Sequence, residues 1–95
     1  MSQFEEIDII DDILDNFDFE RVKKTMDALD WAWFSTGGIP SVSDIRREAR
    51  RLLRECMKTK EIRISTGGLT ARREEIEGKT YYSLEFVVTE WDNSY

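Results

Sequence analysis

The tetrapeptide Ser-Thr-Gly-Gly occurs twice in this chain of 95 residues, and its residue types could bind an anion. Each copy offers two hydroxyl groups and glycine N–H groups that can approach a ligand closely. Tryptophans and arginines lie near both copies, as in pockets that stack a base and hold a phosphate. The candidate residues are Ser35, Thr36, Gly37 and Gly38 with Trp33, and Ser65, Thr66, Gly67 and Gly68 with Arg72, Arg73 and Trp91. They predict a site for a small anionic nucleotide.

Neither copy is a phosphate-binding P-loop, because that motif requires a lysine and a wider glycine spacing between a strand and a helix. Each copy also has a structural interpretation. The first can end a helix before Pro40, since glycine commonly follows a helix C-terminus. The second can form a β-bulge. The structural interpretation is the simpler one, and the nucleotide site is a hypothesis beside it.

A second candidate surface is acidic and lies within the first seventeen residues. Glu5, Asp8, Asp12 and Asp15 recur every three or four residues, so they share one face of a helix. Such a stripe could imitate a nucleic-acid backbone and occupy the basic channel of another protein. The alternative is a solvated helix face. Residues 11–15 also match the D-D-x-x-D pattern with which prenyl synthases bind magnesium. A chain this short cannot enclose the isoprenoid substrate of such an enzyme, so no metal site is predicted.

Catalytic residues are not evident in the sequence. The chain has no histidine to act as a general base, and its single cysteine is Cys56. Cys56 falls on the apolar side of a predicted helix, where a buried thiol is expected. No pair of carboxylates is distinguished by its spacing. We therefore predict a non-enzymatic protein that needs no cofactor.

Charge and composition limit the partners of this protein. The net charge is −6, which disfavours direct binding to duplex nucleic acid. Residues 31–60 nevertheless hold seven basic and three acidic residues, a local excess that could face an anion. The single cysteine fits a reducing compartment. No apolar run is long enough to span a membrane, so a cytoplasmic protein is expected.

Hydrophobic periodicity predicts one α+β domain over residues 1–95, with three helices on one face of a sheet. An acidic amphipathic helix is expected over residues 1–17, a helical pair over 18–60, a bulged antiparallel β-hairpin over 61–92 and a tail over 93–95. Two strands alone make a marginal sheet, and Tyr81, Val87 and Trp91 would lie on its outer face. We therefore expect a homo-oligomer that extends the sheet.

Individual residues predict the helix boundaries. Asp18 is expected to cap the second helix, whose apolar seam continues to Trp33 and ends at the first Ser-Thr-Gly-Gly segment. Ser41 and Asp44 match a capping box at the start of the third helix. The predicted buried face of that helix consists of Ile45, Ala49, Leu52, Leu53 and Cys56.

The strand register follows from a turn and from residue parity. Glu77-Gly78 predicts a two-residue hairpin turn, which places Leu69 opposite Phe86. Ile64 has an even number and Leu69 an odd one, so a continuous strand would send them to opposite faces. A bulge at the second Ser-Thr-Gly-Gly segment, with a glycine at positive φ, would place both on the core side.

Five short stretches, taken in their order and spacing, resemble small proteins without assigned activity that are encoded by tailed phages and prophages of gut bacteria. The likeness covers residues 18–92 and leaves the acidic first helix outside. It implies a context in which small accessory proteins act as non-enzymatic binders that blunt host defences. The stretches are Ala28-Leu29-Asp30-Trp31, Gly38-Ile39-Pro40-Ser41, Ala49-Arg50-Arg51-Leu52-Leu53, Ser65-Thr66-Gly67-Gly68 and Leu84-Glu85-Phe86-Val87-Val88-Thr89-Glu90-Trp91.

The leading hypothesis is an anti-defence protein of the host bacterial cytoplasm that sequesters a nucleotide-derived immune signal as an oligomer. The alternative is an acidic inhibitor that mimics nucleic acid and blocks a defence effector such as a CRISPR or restriction nuclease. A third interpretation is a structural or regulatory phage oligomer without a ligand.

Overall fold

A computed structural model describes residues 3–87, with side chains from residue 6 onward. Its elements are α1 (Gln3–Asn16), α2 (Phe19–Ala28), α3 (Val42–Thr59), β1 (Arg63–Thr66), β2 (Leu69–Ile76) and β3 (Lys79–Phe86). The strands form an antiparallel sheet in the order β1-β2-β3. The predicted α+β class, with helices preceding strands, is confirmed. Trp91 and the side chain of Glu5 lie outside the described residues.

The start of α2 follows the sequence, but its end does not. Asp18 is the N-cap as predicted, and its carboxylate accepts a hydrogen bond from Arg21 N at 3.0 Å. The helix stops at Ala28, before the first Ser-Thr-Gly-Gly segment, so the prediction that this segment ends α2 is wrong.

A left-handed residue ends α2 instead of a glycine. Asp30 has φ +51°, and the Asp30 and Trp31 N–H groups donate to Asp27 O and Met26 O at 3.3 and 2.9 Å. This is the Schellman pattern, in which the residue after the helix cap adopts the left-handed conformation. Asp tolerates that conformation better than most residues because its short carboxylate can bond locally.

Helix α3 forms as its sequence predicts. Ser41 Oγ accepts from Asp44 N at 3.1 Å, while Ser41 N donates to Asp44 Oδ2 at 3.0 Å, which is the predicted capping box. The five predicted core residues of the helix are all fully buried. Lys60 then ends α3 in the left-handed conformation. Because α3 contacts all three strands and both other helices, it forms the centre of the core.

The second Ser-Thr-Gly-Gly segment forms a turn, so the predicted bulge is wrong. Gly67 and Gly68 connect β1 to β2 with φ +54° and +91°, as a type I′ hairpin turn requires. Ile64 pairs with Ala71, so both side chains lie on the same face of the sheet. A two-residue turn pairs even-numbered residues with odd-numbered ones, and it therefore meets the same parity requirement as a bulge. The chain therefore forms a three-stranded sheet where a two-stranded hairpin was predicted.

The register of β2 and β3 is confirmed. Leu69 pairs with Phe86, and the strands are joined at Glu77-Gly78 with φ +51° and +80°. Residues 74–81 around this turn are exposed on both faces, because the helices end before they reach it. Extension of the sheet by oligomerisation stays a prediction.

Alanine substitutions at two turn glycines should have different costs. Both Gly67 and Gly78 have positive φ, which costs a non-glycine residue about 1 kcal/mol. A Cβ at Gly67 would also lie 2.6 Å from Trp33 Cδ1, whereas a Cβ at Gly78 meets open space. We expect Gly78→Ala to lower the free energy of unfolding by about 1 kcal/mol, and Gly67→Ala by about 2–4 kcal/mol, since displacing a packed ring adds its own cost. Urea unfolding measures both; equal losses would contradict the Trp33 contact.

Candidate functional site

The structure brings the two Ser-Thr-Gly-Gly segments together through Trp33. This tryptophan pairs with Gly38 in an isolated antiparallel bridge, which closes the first segment into a loop. Its ring is only 5% exposed, and Nε1 donates a long hydrogen bond of 3.4 Å to Gly67 O in the second segment. A tryptophan two positions before one copy therefore packs on the first glycine of the other.

A second indole covers the neighbouring glycine. A Cβ on Gly68 would lie 2.9 Å from Cη2 of Trp31, so this glycine also leaves room for a ring. The Trp31 and Phe86 ring centroids are 5.2 Å apart, and Val87 N donates to Gly68 O at 3.0 Å. Both glycines therefore have structural roles: they form the turn, and they leave room for the two indole rings.

The donors of the first segment bond within their own loop. Thr36 Oγ1 donates to Gly38 O at 2.7 Å, and the Thr36 and Gly37 N–H groups lie 3.3 and 3.1 Å from Trp33 O. Ser35 is exposed at the turn. The groups predicted to meet an anion at Thr36 and Gly37 thus already have partners.

The hydroxyls of the second segment are also engaged. Ser65 Oγ lies 2.8 Å from Thr70 Oγ1 across the β1–β2 pair. Thr66 Oγ1 accepts from Arg51 Nη2 at 3.2 Å, and Arg51 binds Glu48 through two hydrogen bonds of 3.0 and 2.6 Å. The Arg51 hydrogen bond is the main cause that holds the pKa of Glu48 below its ordinary value. This cluster fixes the β1–β2 turn to α3.

Arg72 and Arg73 project to opposite faces of β2, because side chains alternate along a strand. Arg72 forms an ion pair with Glu85 at 3.6 Å on the outer face. Arg73 pairs with Glu75 on the helix side, where its buried Nε has no hydrogen-bond partner among residues 3–87. The two guanidinium groups therefore cannot grip one phosphate together within a subunit.

Helix α1 packs against α3, and two of its aspartates pair with arginines of α3. Asp15 pairs with Arg46 at 2.9 Å, and Asp11 pairs with Arg50 at 3.6 Å. Asp8 and Asp12 are exposed and form no ion pair with a described residue. Among the described side chains, those of residues 6–87, no three acidic or cysteine side chains converge into a group that could hold a metal ion.

Cys56 is a core thiol, as expected. The residue is fully buried, and its Sγ donates to Glu61 O at 3.2 Å. Burial raises the pKa of the thiol, which disfavours the reactive thiolate.

Sequence reasoning missed a cleft between α1 and α3. Its volume is about 330 Å³, and its walls combine three apolar side chains, two cations and one acid, Glu6. Neither Arg54 nor Lys58 forms an ion pair within the described part of the chain. The sequence signal was the presence of two cations, Arg54 and Lys58, one helical turn apart. They line a cleft only because α1 packs beside them. The lining residues are Glu6, Ile7, Ile10, Arg54, Met57 and Lys58.

The fold and site define an α+β domain in which α3 packs against a small antiparallel sheet, α1 and α2 pack on α3, and an amphipathic cleft lies between α1 and α3. Comparisons with protein-family models, curated proteins and solved structures give no match. No helix between residues 3 and 87 is long and apolar enough to cross a membrane.

The Glu48 carboxylate should make stability depend on pH in the acid range. Its pKa is lower in the folded state than in the unfolded chain, so its contribution is complete above about pH 4.5 and is lost as the pH falls through the folded value. We expect Glu48→Gln to lower the free energy of unfolding at pH 7 and to flatten its decrease between about pH 5 and 3.

Urea unfolding at a series of pH values measures this effect. Glu74→Gln removes a carboxylate from the exposed outer face of β2 and is the matched control. An acid slope that is the same for wild type and Glu48→Gln would contradict the role assigned to the Glu48–Arg51–Thr66 cluster.

Proposed function

We propose that this protein is a non-enzymatic binding protein of the phage accessory type, which acts against a bacterial defence by holding a nucleotide-derived signal. The observation that carries the proposal is the cleft between α1 and α3, where Arg54 and Lys58 lie beside apolar side chains without an ion-pair partner among the described residues. The resemblance to phage proteins supports the biological context.

The chemistry of the cleft suits an anionic ligand with a flat apolar part. Ile7, Ile10 and Met57 offer a surface for a base, and the Met thioether adapts readily to aromatic shapes. The Arg54 guanidinium has a planar fork that matches phosphate oxygens, and the Lys58 ammonium supplies a second positive charge. A volume of about 330 Å³ is at the small end of ligand pockets, which suits one nucleotide unit.

The Ser-Thr-Gly-Gly segments lend this site little support. The Thr36, Ser65 and Thr66 hydroxyls already form hydrogen bonds within the fold, and the Thr66 bond from Arg51 ties the β1–β2 turn to α3. Arg72 is exposed on the outer face of the sheet, where it pairs with Glu85 at 3.6 Å, and it offers an alternative location for the ligand. Substitutions can separate the two locations.

Nucleotide binding should depend on the cleft cations. We expect titration calorimetry with cyclic dinucleotides, cyclic trinucleotides and ADP-ribose derivatives to find one that binds. Arg54→Ala and Lys58→Ala should each weaken that binding about tenfold or more, because each removes a charge-assisted contact worth about 1.5–3 kcal/mol. Lys79→Ala, which removes an exposed positive charge beside the distant Glu77-Gly78 turn, is the control and should leave affinity unchanged.

Arg72→Ala tests the alternative location. A loss of affinity in this variant, with none in Arg54→Ala, would move the ligand from the cleft to the sheet. Absence of binding by every anionic nucleotide would remove the proposal.

A second candidate function is inhibition of a nucleic-acid-binding defence effector by the acidic face of α1. It is favoured by Asp8 and Asp12, which are exposed and have no ion pair within residues 3–87. Asp15 contributes less, because Arg46 partly neutralises it at 2.9 Å.

The acidic-face hypothesis predicts salt-sensitive inhibition. In nuclease assays with CRISPR effectors and restriction nucleases, Asp8→Lys with Asp12→Lys should abolish inhibition, since the two substitutions cancel the negative charge of the stripe. Glu74→Lys with Glu77→Lys makes the same change in net charge on the β2–β3 hairpin and should inhibit as wild type does. Equal inhibition by both double variants would count against a nucleic-acid mimic.

A further inference from the structure

Phe34 is the most exposed large apolar side chain among the described residues. It lies in the loop between α2 and α3 and is fully exposed. Leu29 and Ile39, at the two ends of the same connection, are 58% and 38% exposed. A single exposed apolar residue is ordinary, but three in one connection make that connection a candidate contact surface.

The loop that carries Phe34 is held in one conformation. Trp33 anchors its start in the core, and Trp33 N donates to Gly38 O at 3.0 Å across the loop ends. Thr36 Oγ1 bonds to Gly38 O inside the loop, and Gly37 closes it with φ +71°. The Phe34 ring is thus presented on a preorganised support, which reduces the entropy lost when it binds.

The same chain contains a groove that matches a benzyl group. It lies between α2 and the end of β3, with a volume of about 170 Å³. Phe17 and Phe86 supply aromatic walls and Val22 an apolar base. Aromatic rings that meet edge to face or offset are favoured beyond the area that they bury. Because Phe34 is fully exposed, it does not occupy this groove within its own chain.

The two surfaces each offer one charged group without an ion-pair partner among the described residues, and these groups have opposite signs. Residues 27–39 contain Asp27 and Asp30 and no basic residue. Asp27 already pairs with Lys23 at 2.9 Å, whereas Asp30 has no ion pair among residues 3–87. Arg21 lines the groove and likewise lacks an ion pair with any described side chain. Asp18 lines the groove as well, but its carboxylate is held at the start of α2, where it accepts a hydrogen bond from Arg21 N at 3.0 Å. The Arg21 guanidinium at the groove and Asp30 in the connection that carries Phe34 therefore form a pair of opposite charges that a contact between the two surfaces could bring together.

We propose that Phe34 of one copy inserts into the Phe17–Val22–Phe86 groove of a second copy. The two surfaces are different parts of the chain, so the contact is heterologous and links copies head to tail into a ring or an open chain. This association uses neither the α1–α3 cleft nor the sheet edges. It stands independently of the proposed nucleotide function.

The contact can be tested by separating its two halves. Sedimentation velocity from low to high micromolar concentration should show wild-type association. Phe34→Ala removes the projecting ring, and Thr25→Trp fills the groove from the partly buried Thr25 position. Each variant should associate at least tenfold more weakly than wild type, with an unchanged circular dichroism spectrum.

An equimolar mixture of the two variants gives the decisive measurement. Phe34→Ala retains an intact groove and Thr25→Trp retains an intact Phe34, so the mixture should form heterodimers and nothing larger. Ile62→Ala truncates another exposed apolar side chain, at 71% exposure, and should behave as wild type.

Three outcomes would overturn the proposal. The first is a wild-type chain that stays monomeric at every concentration. The second is association that survives in Phe34→Ala but is lost on substitution of Ile76 or Tyr81, which would place the contact on the β2–β3 hairpin. The third is a mixture of well-folded variants that remains monomeric.

Discussion

The Trp33 indole, packed on the Gly67 turn, is the contact on which the arrangement of both Ser-Thr-Gly-Gly segments depends. It closes the first segment into a loop through its bridge to Gly38, and it limits the second to glycine because a Cβ would meet the ring. The Arg51 bridge to Thr66 holds the same turn from the helix side. A repeated tetrapeptide therefore serves one packing arrangement with two different backbones, a wide loop and a tight turn.

Because of that arrangement, the Ser-Thr-Gly-Gly segments are poorly suited to bind an anion. The Thr36 hydroxyl donates to Gly38 O and would have to break that bond before it could bind an anion, while the Thr66 hydroxyl accepts a hydrogen bond from Arg51. Ion pairing makes other charges less available to a ligand, since Arg46 and Arg50 face carboxylates on α1. The cations left at the α1–α3 cleft are Arg54 and Lys58, which form no ion pair with a described residue.

Local sequence signals predicted the elements correctly wherever one residue type has one strong preference. The Ser41 capping box and the Glu77-Gly78 turn are examples, and the turn also fixes the β2–β3 register. Prediction was wrong where two geometries meet the same requirement. A bulge and a two-residue turn at Gly67 both satisfy the parity of the strands. Trp33 continued the apolar spacing of α2, although its burial comes from a contact with residues more than thirty positions away.

The sequence by itself determined the α+β class, the core face of α3 and the absence of a histidine base, because composition and short-range periodicity settle them. Only the tertiary structure decided which charged and hydroxyl groups find an ion-pair or hydrogen-bond partner and which do not. Arg54 and Arg50 look alike in the sequence, yet among the described residues only Arg50 forms an ion pair with a carboxylate when α1 packs across α3. Phe34 and Trp33 are adjacent, yet one is fully exposed and the other buried. Pairing and burial depend on contacts between distant segments, and such contacts form only when the chain has folded.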